Sequence, residues 1–212
     1  MAEMQITRNI MWSSSLFDVS VPDVDNAGLM KFVEENKKKE VGVERSNVGG
    51  WQFDVGYNYC KPLDDLLDKL AHAATHIWND VYRIEEELVI ANCWFNSNEF
   101  GQGNAMHTHP GAQMSGVYYI NVEEGSDNGV INLQREGDHS IEQHITMTEA
   151  SRAYSHAPRD HEWVTTFALP PQQSHAYLFS AWQRHEVRRN LQDYNRVALA
   201  FNFIPWDKRI NR

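Results

Sequence analysis

Along the first eighty or so residues, apolar positions recur at helical spacing; beyond them the period changes to two. The stretch "VPDVDNAGLMKFVEENKKKE" places Leu29, Phe32 and Val33 on one face ahead of a charged run, which predicts a short helix. The clearest helix is "KPLDDLLDKLAHAATHIWNDVY", where Leu63, Leu66, Leu67, Leu70, Ala74, Ile77 and Trp78 form one stripe. Pro62 falls where a first helical turn tolerates it. Between the two helices, "SNVGGWQFDVGYN" is Gly-rich and aromatic and reads as a loop or turn. The stretches "ELVIANCWFNSN", "MSGVYYINV", "NGVINLQR", "EWVTTFALP", "SHAYLFSAW" and "RVALAFNFIPW" then read as strands punctuated by Gly, Pro, Asn and Asp. This order predicts a mainly β, single-domain protein: a β-sandwich or barrel over 88–206, with a helical support region over 1–87 packed outside it. The polar, irregular connection at 136–162 reads as either a functional lid or a partly disordered segment.

Composition narrows the function classes. With 212 residues and 42% hydrophobic content, the chain can build a sizeable core. A formal net charge of −10 argues against nucleic acid, because phosphate contacts require a basic face. The dense basic runs are "KKK", flanked by Glu34, Glu35 and Glu40, and the tail "DKRINR"; both read as solvated. Cys60 and Cys93 form neither a CxxC nor a disulfide framework, which suits a reducing, cytoplasmic setting. No signal peptide is visible, and the longest apolar run, "LVIANCWF", is too short to span a bilayer as a helix.

Ten histidines then call for sorting. His72 and His76 lie four apart on the second helix, opposite its leucine stripe, so they read as surface residues. His139, His144, His156 and His161 lie in the irregular connection and read as solvent-exposed. His107 and His109, in "NAMHTHPGAQMSGVYYI", differ. On extended backbone, residues two apart point to the same side, so two imidazoles can converge on one metal such as Fe, Zn, Cu or Ni. His185, in "LFSAWQRHEV", is the obvious third ligand. On the last strand, Arg196, Ala198, Ala200 and Asn202 share a face. An Arg followed by small residues is either an edge residue in a surface ion pair or the anchor of a carboxylate ligand inside a cavity.

Taken in order, "CWFNSNEFGQGNAMHTHPGAQMSGVYYINV", "YLFSAWQRHEV" and "NRVALAFNF" resemble the 2-oxoglutarate- and Fe(II)-dependent oxygenases. The resemblance is to a bacterial and phage branch carrying N-x-N, H-x-H-P, S-G-x-Y-Y, W-x-x-H and R-x-x-x-x-F-N, and it extends to the Gly-Gly-Trp at 49–51. It implies a double-stranded β-helix, or jelly roll, and an oxygenase that oxidises a C–H bond while decarboxylating 2-oxoglutarate to succinate. The implied cofactors are Fe(II) and 2-oxoglutarate; the implied partners are molecular oxygen and a small-molecule or peptidyl substrate. His107 matches the first iron ligand and His185 the distal one, while His109 occupies the position of the usual carboxylate. Arg196 matches the anchor of the distal carboxylate of 2-oxoglutarate. Asn98 stands where related prolyl hydroxylases place a Tyr against that carboxylate, Asn96 shares its face, and Tyr119 and Trp182 are candidate pocket residues. Where the branch often has Asp-Pro, this chain reads "INLQREGD".

Two other readings fit the same residues. A cupin would share the jelly roll and the HxH pair but needs neither Arg196 nor a cosubstrate; Gln113 stands where its glutamate is expected. A non-catalytic β-sandwich binding or structural module would carry the histidines without a metal.

Overall fold

A computed structural model describes residues 14–123, 129–134 and 166–206. Among them are eleven strands and two helices: β1 Leu16–Ser20, α1 Asn26–Lys37, β2 Asn47–Val48, β3 Trp51–Val55, α2 Lys61–Asp80, β4 Leu88–Asn98, β5 Gly103–His107, β6 Met114–Asn121, β7 Ile131–Gln134, β8 Thr166–Leu169, β9 His175–Ser180, β10 His185–Val187 and β11 Arg196–Pro205. The strands form two antiparallel sheets. One runs β1-β9-β6-β11-β4-β3 and the other β2-β5-β10-β7-β8. This is the jelly-roll architecture that the resemblance implied.

Each predicted strand is present, and so are both helices. α1 starts on an Asp25 cap whose carboxylate accepts from Gly28 N at 2.8 Å. α2 carries Pro62 in its first turn and buries Leu63, Leu66, Leu67, Leu70, Ala74 and Ile77. Burial at this level contributes about 1.5–3 kcal/mol per leucine. The stripe packs against the outer face of the six-stranded sheet, where Phe95, Val197, Leu199, Phe201 and Phe203 complete the same core.

The segment 46–58 departs from its predicted loop. Asn47–Val48 pairs with β5, and Trp51–Val55 pairs with β4 from Trp51↔Ser97 to Val55↔Cys93. β1 likewise extends the six-stranded sheet beside β9. The first 87 residues therefore supply edge strands to both sheets as well as the helices. The predicted lid at 136–162 lies outside the described residues, apart from which the connection resumes at β8.

Alternation on the inner strands decides what faces the space between the sheets. On β11, Val197, Leu199, Phe201 and Phe203 go to the helical side, so Arg196, Ala198 and Ala200 face inward. Their partners on β4 are Asn98, Asn96 and Trp94, and Ala198 and Ala200 also lie opposite Tyr119 and Val117 of β6. A second, smaller core of Tyr119, Tyr177, Phe179, Ile131 and Leu133 closes the gap at one side.

Candidate metal centre

His107 ends β5 and His185 begins β10, and the two are direct cross-strand partners. Their rings lie 4.3 Å apart. His109 follows in the turn after β5, where its N–H donates to Ala181 O at 2.9 Å. That bond ties it to the turn leading into His185. His109 brings its ring to 4.9 Å from His107 and 5.0 Å from His185. One ring nitrogen from each histidine falls within 4.8 Å of the others.

The tautomers follow from the backbone. His107 Nδ1 lies 2.7 Å from Ala105 O, and His185 Nδ1 lies 2.8 Å from Gln183 O. A carbonyl only accepts, so each Nδ1 carries the proton and donates, leaving the Nε2 lone pair free. Metal-binding histidines are typically fixed in this way. His109 Nε2 and His185 Nε2 face each other at 3.3 Å. Burial, and then the neighbouring imidazoles, push the pKa of His109 down to about 3. Burial and His107 push that of His185 down to about 4. Burial also lowers His107. All three rings are therefore neutral near pH 7, and the Nε2 lone pairs of His107 and His185 are available as donors. Three neutral imidazoles whose ring nitrogens lie within 4.8 Å of one another form a donor set that suits a divalent transition metal. No carboxylate joins the cluster among the described residues. Glu186 is turned to the other face of β10 and accepts from Asn132 Nδ2 at 2.9 Å.

Arg196 is 2% exposed. Nη1 donates to Gly129 O at 2.7 Å and Nη2 donates to Asn98 Oδ1. Its Nε has no partner, and no carboxylate pairs with it among the described residues. Burial pulls its pKa down, opposed by the nearby Tyr119 and Tyr194. Two glycines make this packing possible. A Cβ at Gly129, which has φ +71°, would come within 2.8 Å of the Arg196 side chain. One at Gly50 would come within 2.4 Å of Asn98 Nδ2. Asn98 thus spends its acceptor on Arg196, as the in-register pairing Arg196↔Asn98 dictates.

A narrow cavity joins the two features. Its lining includes the three histidines, Arg196, Asn96 and Tyr119. Asn96 is 8% exposed and its Oδ1 is unpartnered. Trp182 stands on the exposed turn after β9 and is not part of that lining. His72 and His76 are exposed on α2, and His139, His144, His156 and His161 lie outside the described residues. A far larger concavity of about 1120 Å³ runs along α2, past Asp68, His72, Glu86 and Trp206, and holds none of this chemistry.

Residues 92–202, a span that carries the three histidines, Asn96, Asn98, Tyr119 and Arg196, match the family model described as "Putative 2OG-Fe(II) oxygenase". The chain belongs to the 2OG-Fe(II) oxygenase family. It is accordingly an Fe(II)- and 2-oxoglutarate-dependent enzyme, and the cupin and non-catalytic readings give way. Among solved structures, the oxygenase is similar to a Pseudomonas putida prolyl-4-hydroxylase, with a TM-score of 0.64 at 13% identity, over 92% of this chain and 95% of that one. It is also similar to HygX from Streptomyces hygroscopicus, solved with nickel and 2-oxoglutarate, with a TM-score of 0.57 at 12% identity, over 91% and 83% of the two chains. A third is the viral collagen prolyl hydroxylase of Paramecium bursaria Chlorella virus-1, with a TM-score of 0.54 at 8% identity, over 89% and 94%. At these identities the likeness establishes the shared fold. The search of curated proteins finds no match. No helix among the oxygenase's described residues is long and apolar enough to cross a membrane.

Proposed function

We propose that His107, His109 and His185 hold the iron of this oxygenase, and that Arg196 anchors the distal carboxylate of 2-oxoglutarate. The observation that carries the reading is a buried guanidinium with no carboxylate partner among the described residues, set in the same cavity as three neutral imidazoles, two of them tautomer-fixed. A buried cation is costly unless an anion meets it. A dicarboxylate reaching from Arg196 to the metal supplies that anion, and the guanidinium can hold it by charge-assisted bonds.

In this reading each residue has a limited task. The histidines orient the metal through lone pairs fixed by Ala105 O and Gln183 O. His109 replaces an anionic ligand with a neutral one, so the protein leaves more positive charge on the metal. Asn98 and Gly129 hold Arg196 at its station. Asn96 offers an amide, and Tyr119 a buried phenol, to the cosubstrate between the two ends. When bound, iron and 2-oxoglutarate supply the oxidising power, consuming oxygen and releasing succinate and carbon dioxide as a C–H bond is oxidised. Ser46, Asn104 and Val187 give the cavity uncharged walls elsewhere. They favour an uncharged reacting group, on either a small molecule or a peptidyl side chain.

The test is anaerobic titration of the Fe(II)-loaded protein with 2-oxoglutarate. A visible charge-transfer band is expected in the titration, and substrate-independent succinate formation once oxygen is admitted. Absence of both would overturn the reading. Metal uptake that is unchanged in His107→Ala would overturn the ligand assignment.

A further inference from the structure

One turn, at 181–184 between β9 and β10, steadies two of the three histidines. Ala181 O accepts from His109 N at 2.9 Å, and Gln183 O lies 2.8 Å from His185 Nδ1. Main-chain bonds shape the turn: Gln183 N donates to Ser180 O at 2.9 Å and Ala181 N to Gln113 O at 3.2 Å. Burial alternates along it, with Ala181, Gln183 and His185 inside and Trp182 and Arg184 outside. Gln183 is thus a polar side chain at an interior position, 8% exposed. The W-x-x-H pattern leaves its position open, so nothing in the sequence marks it.

A buried amide is costly unless it is paired. Gln183 Nε2 donates to Gln134 O, at the end of β7, and to Arg184 O at 3.2 Å. Gln134 N in turn donates to Arg184 O at 2.9 Å. The place explains the residue type. β7 and β10 pair in register from His185↔Leu133 to Val187↔Ile131. One residue beyond that ladder the chain comes from the turn rather than from a strand, and Gln134 O takes its hydrogen from the glutamine side chain. An aliphatic side chain would fill the same space and leave that carbonyl without this donor.

We propose that Gln183 is a positioning residue of the metal centre: by pinning the turn to β7, it holds the two carbonyls, Ala181 O and Gln183 O, that set His109 and His185. This rests on the reading of the three histidines as the iron ligands. Gln183 acts through those carbonyls and not on the metal itself. Histidine ligands depend on the acceptors behind them, and loss of such a partner typically costs about 10- to 100-fold in metal affinity. Here one side chain serves two ligands, one through its ring and one through its backbone, so its loss alters the geometry at the metal as well as the stability of the turn.

Titration of the metal-free chain with Co(II), followed by its visible d–d absorption, tests this. Gln183→Met keeps the side-chain length and removes the donors. It is expected to weaken Co(II) binding roughly 10- to 100-fold and to shift the absorption bands. Thr75→Val is the control. It removes the hydroxyl that accepts from Leu88 N at 3.0 Å, between α2 and β4, so it too orphans a main-chain group, away from the histidines. Its Co(II) affinity and spectrum should match wild type. Gln183→Asn keeps the amide one methylene short and should fall between wild type and the Met variant. Wild-type affinity and spectrum in Gln183→Met overturn the proposal. So does an equal loss in Thr75→Val, which would make the effect one of general stability. If Gln183→Met does not fold, wild-type affinity in Gln183→Asn overturns it. Co(II) uptake that is unchanged in His107→Ala refutes the histidine site itself, and the role of Gln183 with it.

Discussion

Replacing Arg196 with Met keeps most of the side-chain volume and removes the charge. In the ligand-free protein two effects oppose each other. Gly129 O and Asn98 Oδ1 lose their donors, at about 1–3 kcal/mol for each acceptor left unsatisfied. Against that, a buried cation with no carboxylate partner among the described residues is removed, and replacing buried charge by apolar volume is often neutral or stabilising by ~1–4 kcal/mol. The net stability change should therefore be small, about 2 kcal/mol or less in either direction. With 2-oxoglutarate bound the effects no longer offset. Two charge-assisted hydrogen bonds, at about 1.5–3 kcal/mol each, sum to roughly 3–6 kcal/mol. That corresponds to a loss of affinity of about 10²- to 10⁴-fold. The assay pairs urea unfolding of the metal-free protein with anaerobic 2-oxoglutarate titration of the Fe(II) form. If Arg196→Met instead destabilises the protein heavily while 2-oxoglutarate affinity stays near wild type, the guanidinium is a structural prop and the reasoning fails.

Three further outcomes follow from the same geometry. His109→Ala should abolish most of the metal-induced rise in melting temperature, whereas His109→Asp should retain it; equal behaviour of the two would remove His109 from the ligand set. The metal-free protein should lose stability as pH falls from about 6.5 towards 4, because the unfolded histidines, with pKa near 6.5, bind protons that the folded His109 and His185 refuse down to about 3 and about 4. Thermal melts across that range check the sign, and a His109→Gln, His185→Gln variant should flatten the slope. Gly50→Ala should cost about 1–3 kcal/mol in a denaturant titration and weaken 2-oxoglutarate as well, since its methyl would displace the amide that holds Arg196; a variant with wild-type stability would show that Asn98 can move freely.

The elements that were readable in the chain share a physical cause. α2 is long, and its leucines repeat at one angular position, so nothing local competes with the stripe. β4, β6 and β11 alternate over eight residues or more and are buried on both faces. β2 and β3 escaped because they are edge strands of two and five residues interrupted by Gly49 and Gly50, and their turn residues outweigh their weak alternation. In the site, the HxH pair and His185 stood out by residue type. The task of Asn98 did not, because it depends on the register that sets Arg196 opposite it rather than on anything near it in sequence.

Arg196 stands on one sheet, while His107 and His185 stand on the other. On the proposed assignment the distance from anchor to metal is therefore the thickness of the sandwich, ~10 Å for sheets packed face to face. On that assignment the molecule works as a fixed calliper: two jaws, held apart by Leu133, Leu169 and Tyr177, gauge the length of whatever diacid is laid between them. Thinning or thickening those spacers changes the setting of the jaws without touching a single group that contacts the ligand. Tolerance for a shorter or longer 2-oxo diacid should thus be tunable from the apolar filling alone.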